Sequence, residues 1–562
     1  MNSLVLIVIG LLGIMTGWVF YSRFIASRIY RLSEEFVTPA HQFRDGVDYV
    51  PTNKYVLWGH HFTSVAGAAP IVGPAIAVIW GWGPAFLWVV LGTIFFAGVH
   101  DMGALWASVR NRGQSIGGLS EKLLGSRARW MFMMIMFLVL LMVNAAFATV
   151  ITNLMIQFPT AVIPVWGAII VAIGIGQTLY RTQIGLLWPT IIGVVLLYAL
   201  ILIGDAVPLA LPETVFGLSD RVLWVLLLFT YAGVASMLPV WMLLQPRDYI
   251  NGIQLFVALG LIYLSALIAS PTVVVPFIND QVPAGTPPIA PLLFVTIACG
   301  AISGFHGLVS SGTSSKQLDK ETDARLVGYG GAVGEGMLAL AAIVCATAGF
   351  ASLAEWQAVY TSFGQGGVGA FVTGGATILS NGIGVPASLS ATILTVTAAL
   401  FAGTTMDTGV RLQRYVIQET GEITGIAALK NGVVATLLAI GFCLAIAFGA
   451  AADGSGGMVI WPLFGTSNQL LASLTLLMIT VILARQGQPV IYTLTPLVLV
   501  LGMAIYALLL QIGGFIGAAN WTLAIMALLI LGAAIMVAIA AVGALRSSGF
   551  SLIGARQAPP AE

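Results

Sequence analysis

The chain has 562 residues, of which 59% are hydrophobic and only 8% charged. Soluble chains carry about a quarter charged residues, so this one cannot cover a water-facing surface of its own size. The 22 Lys+Arg nearly cancel the 21 Asp+Glu, which leaves no field to gather nucleic acid, and the apolar content excludes disorder.

The class that remains is an all-α polytopic membrane protein whose solvent is the lipid bilayer. Its 65 Gly, 24 Pro and 14 Trp suit that class, since Gly and Pro are frequent in membrane helices and Trp at the interfaces. Cys299, Cys345 and Cys443 all lie in apolar stretches, with no disulfide framework and no metal-ligand spacing, so no metal is expected.

A bilayer-spanning helix needs about 20 mostly apolar residues. By that measure the sequence predicts fifteen spans, at 3–22, 54–81, 84–108, 130–157, 161–180, 186–203, 222–243, 253–276, 289–315, 329–350, 388–410, 430–452, 458–483, 492–512 and 521–544. No basic segment precedes the first, and Arg23, Arg28 and Arg31 follow it, so it reads as a span rather than a signal peptide. With the N-terminus outside, the loops expected in the cytoplasm hold 21 of the 22 basic residues, as the positive-inside rule requires. Arg110, Arg247, Lys316, Arg411, Arg414 and Arg485 belong to those loops. The exception is Arg221, whose charge Asp220 offsets. The C-terminus is then cytoplasmic.

Residues 351–387 are apolar but rich in glycine, and the charge pattern demands an even number of crossings there. An external loop with a re-entrant or surface helix, placed as a lid, satisfies it. The run Gly364-Gln365-Gly366-Gly367-Val368-Gly369 matches a dinucleotide fingerprint in form only, because no strand or βαβ unit surrounds it.

Two spans carry breaks. The second holds Gly59-His60-His61-Phe62-Thr63-Ser64-Val65-Ala66-Gly67-Ala68-Ala69-Pro70-Ile71-Val72-Gly73-Pro74. The ninth holds Gly300-Ala301-Ile302-Ser303-Gly304-Phe305-His306-Gly307-Leu308-Val309-Ser310-Ser311-Gly312. They run in opposite directions, and each opens a run of five spans, 2–6 and 9–13. Mirrored, Gly/Pro-broken spans point to inverted-repeat transporters with the site at the breaks. Close helix packing is the plainer use of glycine, but it does not account for the prolines, the histidines and the placement together. The divisions are therefore 1–53 (first span and cytoplasmic loop), 54–203 (first repeat), 204–288 (two intervening spans), 289–485 (second repeat, with the 351–387 loop) and 486–562 (two further spans and a tail).

At these residues the chain resembles the carbon starvation protein CstA family. The similarity lies in Gly59 to Pro74, in Ser303-Gly304-Phe305-His306 with Ser310-Ser311-Gly312-Thr313, in Thr404-Thr405-Met406-Asp407-Thr408 with Arg411-Leu412-Gln413-Arg414-Tyr415, and in Trp461-Pro462-Leu463-Phe464-Gly465-Thr466-Ser467-Asn468-Gln469-Leu470. It extends over residues 54–485, and the chain looks like a shorter member without a longer C-terminal part. The resemblance implies a bacterial inner-membrane uptake protein made when carbon is scarce, taking peptides or small carboxylates such as pyruvate, with proton coupling in close relatives. It also implies a LeuT-like (APC superfamily type) 5+5 inverted repeat with discontinuous helices plus extra helices.

Ionisable groups inside spans are costly and mark function by default. His60, His61, His100 and His306 lie in spans. Histidine suits a proton relay or an anion contact, whereas a core histidine bonded to a carbonyl is the plainer reading, preferred for His100. His60 and His61 diverge by about 100° if helical, so one of the two is expected to face the cavity. His306 is expected to face a substrate carboxylate or to bond to His60 or His61. The substrate-binding candidates are His60, His61, Ser64, Gly67, Ser303, His306, Ser310, Ser311 and Asn468.

Three acids also lie in spans: Asp101, Glu335 and Asp407. A structural pair with Arg110, Arg411 or Arg414 is the alternative to a functional role for each. Asp407 has the strongest functional case, standing beside Thr404, Thr405 and Thr408. The resemblance implies that this helix supplies hydroxyls to a sodium site completed by carbonyls of the broken helix. Asp407 serves equally as a proton carrier. The ion-coupling candidates are thus Asp407, Thr404, Thr405, Thr408, Asp101 and Glu335, with a bound proton or Na+ and no other cofactor. In span 13, Thr466, Ser467, Asn468 and Gln469 are expected to line the path. In span 4, Asn144, Thr149, Thr152 and Asn153 either line it or fasten helices.

The leading function is secondary transport, with a channel as the runner-up. No Walker-type element supplies an ATPase and no His-Glu-x-x-His element supplies a zinc enzyme. The longest internal loop, about 30 residues, is too short for a sensor's output domain.

Overall fold

The computed structural model describes residues 1–182, 185, 187–547 and 552. Thirteen of the described helices are long and apolar enough to cross a membrane. The bent pair Lys54–Ala66 and Ala69–Trp80, whose halves differ in direction by 44°, makes a fourteenth if its halves together form one span. Segment 289–315 is split into Ile289–Thr296 and Gly304–Gly312, each short of a span by itself. The only described strands are the two-residue pair Thr214–Val215 and Leu218–Ser219, a small hairpin between spans.

The bundle has an inner set of helices and an outer wrap. The apolar window of Trp461–Arg485 is wholly buried and that of Glu321–Ala348 is 94% buried, against 28% for Leu187–Ala206 and Gly432–Ala450. The outer helices expose large apolar side chains such as Phe20, Ile170, Leu437 and Ile539. A surface of that kind is stable only against lipid, so the protein is a multi-pass membrane protein.

Several predicted boundaries move. The span expected at 388–410 belongs to a 38-residue helix, Ala387–Thr424, so Arg411 and Arg414 lie on a helix rather than in a loop. The span expected at 253–276 begins earlier, as Leu244–Ala269, and draws Arg247 into the bundle. Neither buried arginine marks a cytoplasmic loop. Arg247 is 2% exposed and Arg411 1%, and both are held by protein oxygens in place of water.

Residues 351–387 form two helices, Leu353–Val359 and Gly367–Ile383. The second is packed into the bundle rather than laid on its surface as a lid. Gly374 sits directly against the carbonyl of Cys345, an approach that only a residue without a Cβ permits. The glycine content of this segment is thus explained by close packing within the fold.

Candidate functional site

The first break forms where the sequence predicts it. Helix Lys54–Ala66 stops at Gly67, which adopts φ +55° and ψ −154°, a region open to glycine. A Cβ there would lie 2.7 Å from Thr405 Oγ1 and from the Phe147 ring. The chain resumes as Ala69–Ala77 with Pro70 in its first turn, where a missing N–H is harmless. Helix Ala387–Thr424 secures the break. Thr404 Oγ1 donates to the carbonyl of Thr63 and Thr405 Oγ1 to that of Ser64, both at 2.9 Å. Thr408 Oγ1 donates to Ser64 Oγ at 3.1 Å. These are carbonyls of the helix's last turn, which lack intrahelical partners.

A buried charge network stands beside this break. Arg247 lies between two carboxylates. Its Nε and Nη2 donate to Asp248 Oδ1 at 3.0 and 2.7 Å, and its Nη1 is paired with Asp407 Oδ2. Asp248 Oδ2 meets His60 Nδ1 at 2.8 Å and accepts from Ser64 Oγ at 3.3 Å. Tyr231 Oη, half-buried, donates to Asp407 at 2.7 Å. His60, Asp248 and Asp407 are all 0% exposed. One guanidinium thus serves two buried carboxylates, and with a neutral His60 one negative charge is left over.

The second break is closed by helix Trp461–Arg485, whose apolar window is wholly buried. Asn468 Oδ1 accepts from the N–H of Phe305 at 2.8 Å, and its Nδ2 donates to Ser303 Oγ at 2.9 Å. Gln469 Nε2 donates to the carbonyls of Phe294 and Ile302 at 2.9 and 3.1 Å. Trp88 Nε1 reaches the carbonyl of Ile297, and Thr93 Oγ1 that of Gly300, at 3.1 and 3.2 Å. Unwound backbone at membrane depth survives only where its polar groups find such partners. Asn468 and Gln469 therefore fasten the break, rather than presenting free polar groups to a path.

A second group of ionisable residues surrounds this break. Asp101 Oδ1 meets His100 Nδ1 at 2.7 Å and Asp101 Oδ2 meets His306 Nδ1 at 2.8 Å. The other face of His306 approaches Glu335, with Nε2 3.3 Å from Oε2. Cys299 donates to Ser303 Oγ at 3.4 Å. His306 bonds neither His60 nor His61, because its break faces helices Gly98–Val109 and Gly330–Ala348. His60 and His61 do diverge: His61 Nδ1 meets Ser314 Oγ at 2.8 Å, on the far side from Asp248. His100 bonds a carboxylate, not a carbonyl.

The candidates thus fall into two sites. His60, Ser64, Gly67, Thr404, Thr405, Thr408 and Asp407 meet at the first break; Ser303, His306, Asn468, Asp101 and Glu335 meet at the second. Ser310 is buried with no hydrogen-bond partner, and Ser311 Oγ donates to the carbonyl of Gly307 and accepts from the N–H of Ile116. None of the three span acids pairs with Arg110, Arg411 or Arg414. Arg110 is paired with Glu321 and Arg411 with Asp48. In span 4, Asn144 Nδ2 donates to Gln413 at 2.9 Å, and Asn153 accepts from Arg221 at 2.5 Å, so these side chains fasten helices. That contact also explains how Arg221, the topological exception, is accommodated.

Sequence reading missed Arg247 as a site residue, along with Asp248 and Tyr231. The positive-inside tally absorbed Arg247 as a loop charge. The available signal was the adjacent pair Arg247-Asp248 against a long apolar run, where one more turn of helix buries both.

A cavity of about 550 Å³ opens on the face that carries Lys122, Lys316 and Lys430. Gln114, Arg129, Ser311, Tyr415 and Glu419 line it, so it reaches the end of the second broken span. The opposite face is closed. Tyr360 Oη donates to the carbonyl of Ala75 at 2.6 Å, Trp80 Nε1 donates to that of Pro287 at 3.0 Å, and the Trp80 ring packs on Phe363.

The model of the family described as carbon starvation protein CstA matches residues 2–352 and 350–507. A peptide transporter CstA of Helicobacter pylori is 33% identical, over 91% of this chain and 82% of its own length. The pyruvate/proton symporter BtsT of Escherichia coli is 30% identical, over 89% and 80%. Among solved structures, a manganese transporter of Eremococcus coleocola is 13% identical with a TM-score of 0.46, over 90% of this chain and 99% of its own, a likeness too loose to carry an argument.

Proposed function

The chain belongs to the carbon starvation protein CstA family, and from that premise we propose that it is a secondary active transporter importing peptides or small carboxylates such as pyruvate. The proposed setting is the bacterial inner membrane, with the N-terminus outside and the polar cavity, lined by both acids and lysines, open to the cytoplasm. Transport proceeds by alternating access around the two breaks. The relatives named for peptide and for pyruvate/proton transport support the substrate classes. The open cavity on one face and the closed contacts on the other support an inward-facing state.

One observation carries the mechanism. The first break is tied by Thr404, Thr405 and Thr408 to the helix that bears Asp407, and Asp407 shares its guanidinium with Asp248. The single negative charge left over in a buried site is strongly unfavourable and is cancelled by one carried proton. Movement of the broken helix changes the distance between His60 and Ser64 on one side and the Asp248–Arg247–Asp407 group on the other, so proton occupancy and helix position are coupled. Proton coupling is favoured over sodium coupling because the carbonyls of Thr63 and Ser64 already accept hydroxyl hydrogens. A substrate carboxylate is received at the breaks, near His60, His61 and Ser64, where the N-terminus of Ala69–Ala77 adds the positive end of its helix dipole.

The test is uptake of labelled pyruvate and of dipeptides into proteoliposomes under separately imposed proton and sodium gradients. Accumulation driven by the proton gradient is expected, and Asp407→Asn is expected to abolish accumulation while leaving the folded yield intact. Accumulation under sodium alone, or undiminished accumulation by Asp407→Asn, overturns this assignment of the coupling ion and its carrier.

A further inference from the structure

From the second ionisable cluster we infer a site for a divalent transition-metal ion, of the zinc class, held by Cys299, His306 and Glu335. The inference does not rest on the transport reading.

Three features of the cluster converge. The first is the donor set. Cys299 Sγ, a ring nitrogen of His306 and a carboxylate oxygen of Glu335 all lie within 4.8 Å of one another. Thiolate, imidazole and carboxylate form a common zinc set, with bonds of about 2.3, 2.0 and 2.1 Å respectively. Tetrahedral closure on one ion requires donor separations of about 3.3–3.7 Å, so side-chain adjustments of roughly 1 Å complete the site. Three protein ligands leave a fourth position for water.

The second feature is that His306 Nε2 and Glu335 are under-satisfied, their mutual contact being an ion pair at 3.3 Å. Neither oxygen of Glu335 makes a hydrogen bond, nor does His306 Nε2, although His306 and Glu335 are 0% exposed and Cys299 only 3%. Buried polar atoms without hydrogen bonds are costly, and a metal ion gives these donors a common partner. Asp101 supplies the supporting contact. Its bond to His306 Nδ1 at 2.8 Å fixes a proton on Nδ1 and keeps Nε2 toward Glu335 as the ligating nitrogen, the carboxylate–histidine–metal arrangement that orients ligating imidazoles.

The third is charge. Asp101 and Glu335 are both buried in this cluster, and among the described residues neither has a Lys or Arg partner; their ion-pair partners are His100 and His306. Buried charges are paired or coordinate metals. The first site has Arg247, while this one has no permanent cation, and a divalent ion supplies it. On binding, the Cys299 thiol and the His306 Nε2 of the ion pair give up their protons to solvent as the S–metal and N–metal bonds form, with no change of oxidation state. The site lies inside the bundle, so the ion exchanges when the second break opens.

The experiment uses the full chain purified in detergent, stripped with a chelator and titrated with Co2+ as a spectroscopic probe, followed by Zn2+ competition. The expected result is one equivalent of Co2+ with a near-ultraviolet sulfur-to-cobalt charge-transfer band that Zn2+ displaces. Cys299→Ser removes the band and weakens Zn2+ binding at least tenfold. Glu335→Gln keeps the band but weakens Zn2+ binding at least tenfold. Cys345→Ser, which alters a thiol outside the cluster, changes neither. Absence of the band from the native chain, its survival in Cys299→Ser, or unaltered Zn2+ affinity in both variants overturns the inference. The native chain alone supplies the first of these readouts should a variant fail to fold. Carboxylate uptake is measured separately, so failure of the transport reading leaves the spectroscopic outcome standing.

Discussion

Replacing Arg247 by Met has a consequence that the charge count of the first site determines. In the native chain one guanidinium is shared by two carboxylates, Asp248 and Asp407, all three nearly inaccessible to water. Removing one partner of a buried ion pair costs about 3–5 kcal/mol because the other charge is left uncompensated. Arg247→Met strands two such charges, so its loss lies at the top of that range, about 5 kcal/mol. Asp407→Asn acts differently. It removes the surplus carboxylate and leaves Arg247 and Asp248 as a balanced pair, at a cost of about 1 kcal/mol for the altered hydrogen bonds. The double variant strands one charge instead of two and recovers about 2 kcal/mol of the loss of Arg247→Met. Thermal unfolding of the four purified proteins in one detergent measures the order: native, then Asp407→Asn, then the double variant, then Arg247→Met. The reasoning fails if Arg247→Met is as stable as the native chain, or if adding Asp407→Asn to it brings no recovery.

Further outcomes follow from the breaks. Gln469→Leu strands the carbonyls of Phe294 and Ile302 and is expected to cost about 2–6 kcal/mol at about 1–3 per carbonyl; an unshifted unfolding midpoint refutes that role. Gly67→Ala forces an alanine into φ +55° and against Thr405 and Phe147, with a strain of about 1–3 kcal/mol, read as lowered stability together with slowed uptake. Thr404→Val and Thr405→Val each remove one hydroxyl-to-carbonyl bond worth about 1 kcal/mol, and proton-driven uptake by each is expected to remain insensitive to added sodium. A sodium dependence lost in these variants would point to a cation site at the break.

Much of the fold was legible because a membrane imposes simple rules. Long apolar runs had to be helices, and the Gly/Pro-rich segments had to be breaks, since the bilayer offers no other backbone partners. Both breaks stand where the sequence places them, at Gly67 and around Gly300. The glycine-rich 351–387 stretch was illegible in part, because glycine serves a loop and a tight helix contact equally well. Gly374 against Cys345 shows that the tight contact is the use made of it.

The sequence by itself determined the membrane class, the positions of the two breaks and the histidines and three span acids that surround them, because hydropathy and the cost of charge in lipid are local properties of a chain. Only the tertiary structure decided the partners. Arg247 had the composition of a loop charge until helix Leu244–Ala269 carried it to Asp407, 160 residues away. Cys299 had no metal spacing until the fold set it beside His306 and Glu335. Pairing in a buried site depends on which helices touch, and local sequence carries little information about contacts between segments so far apart.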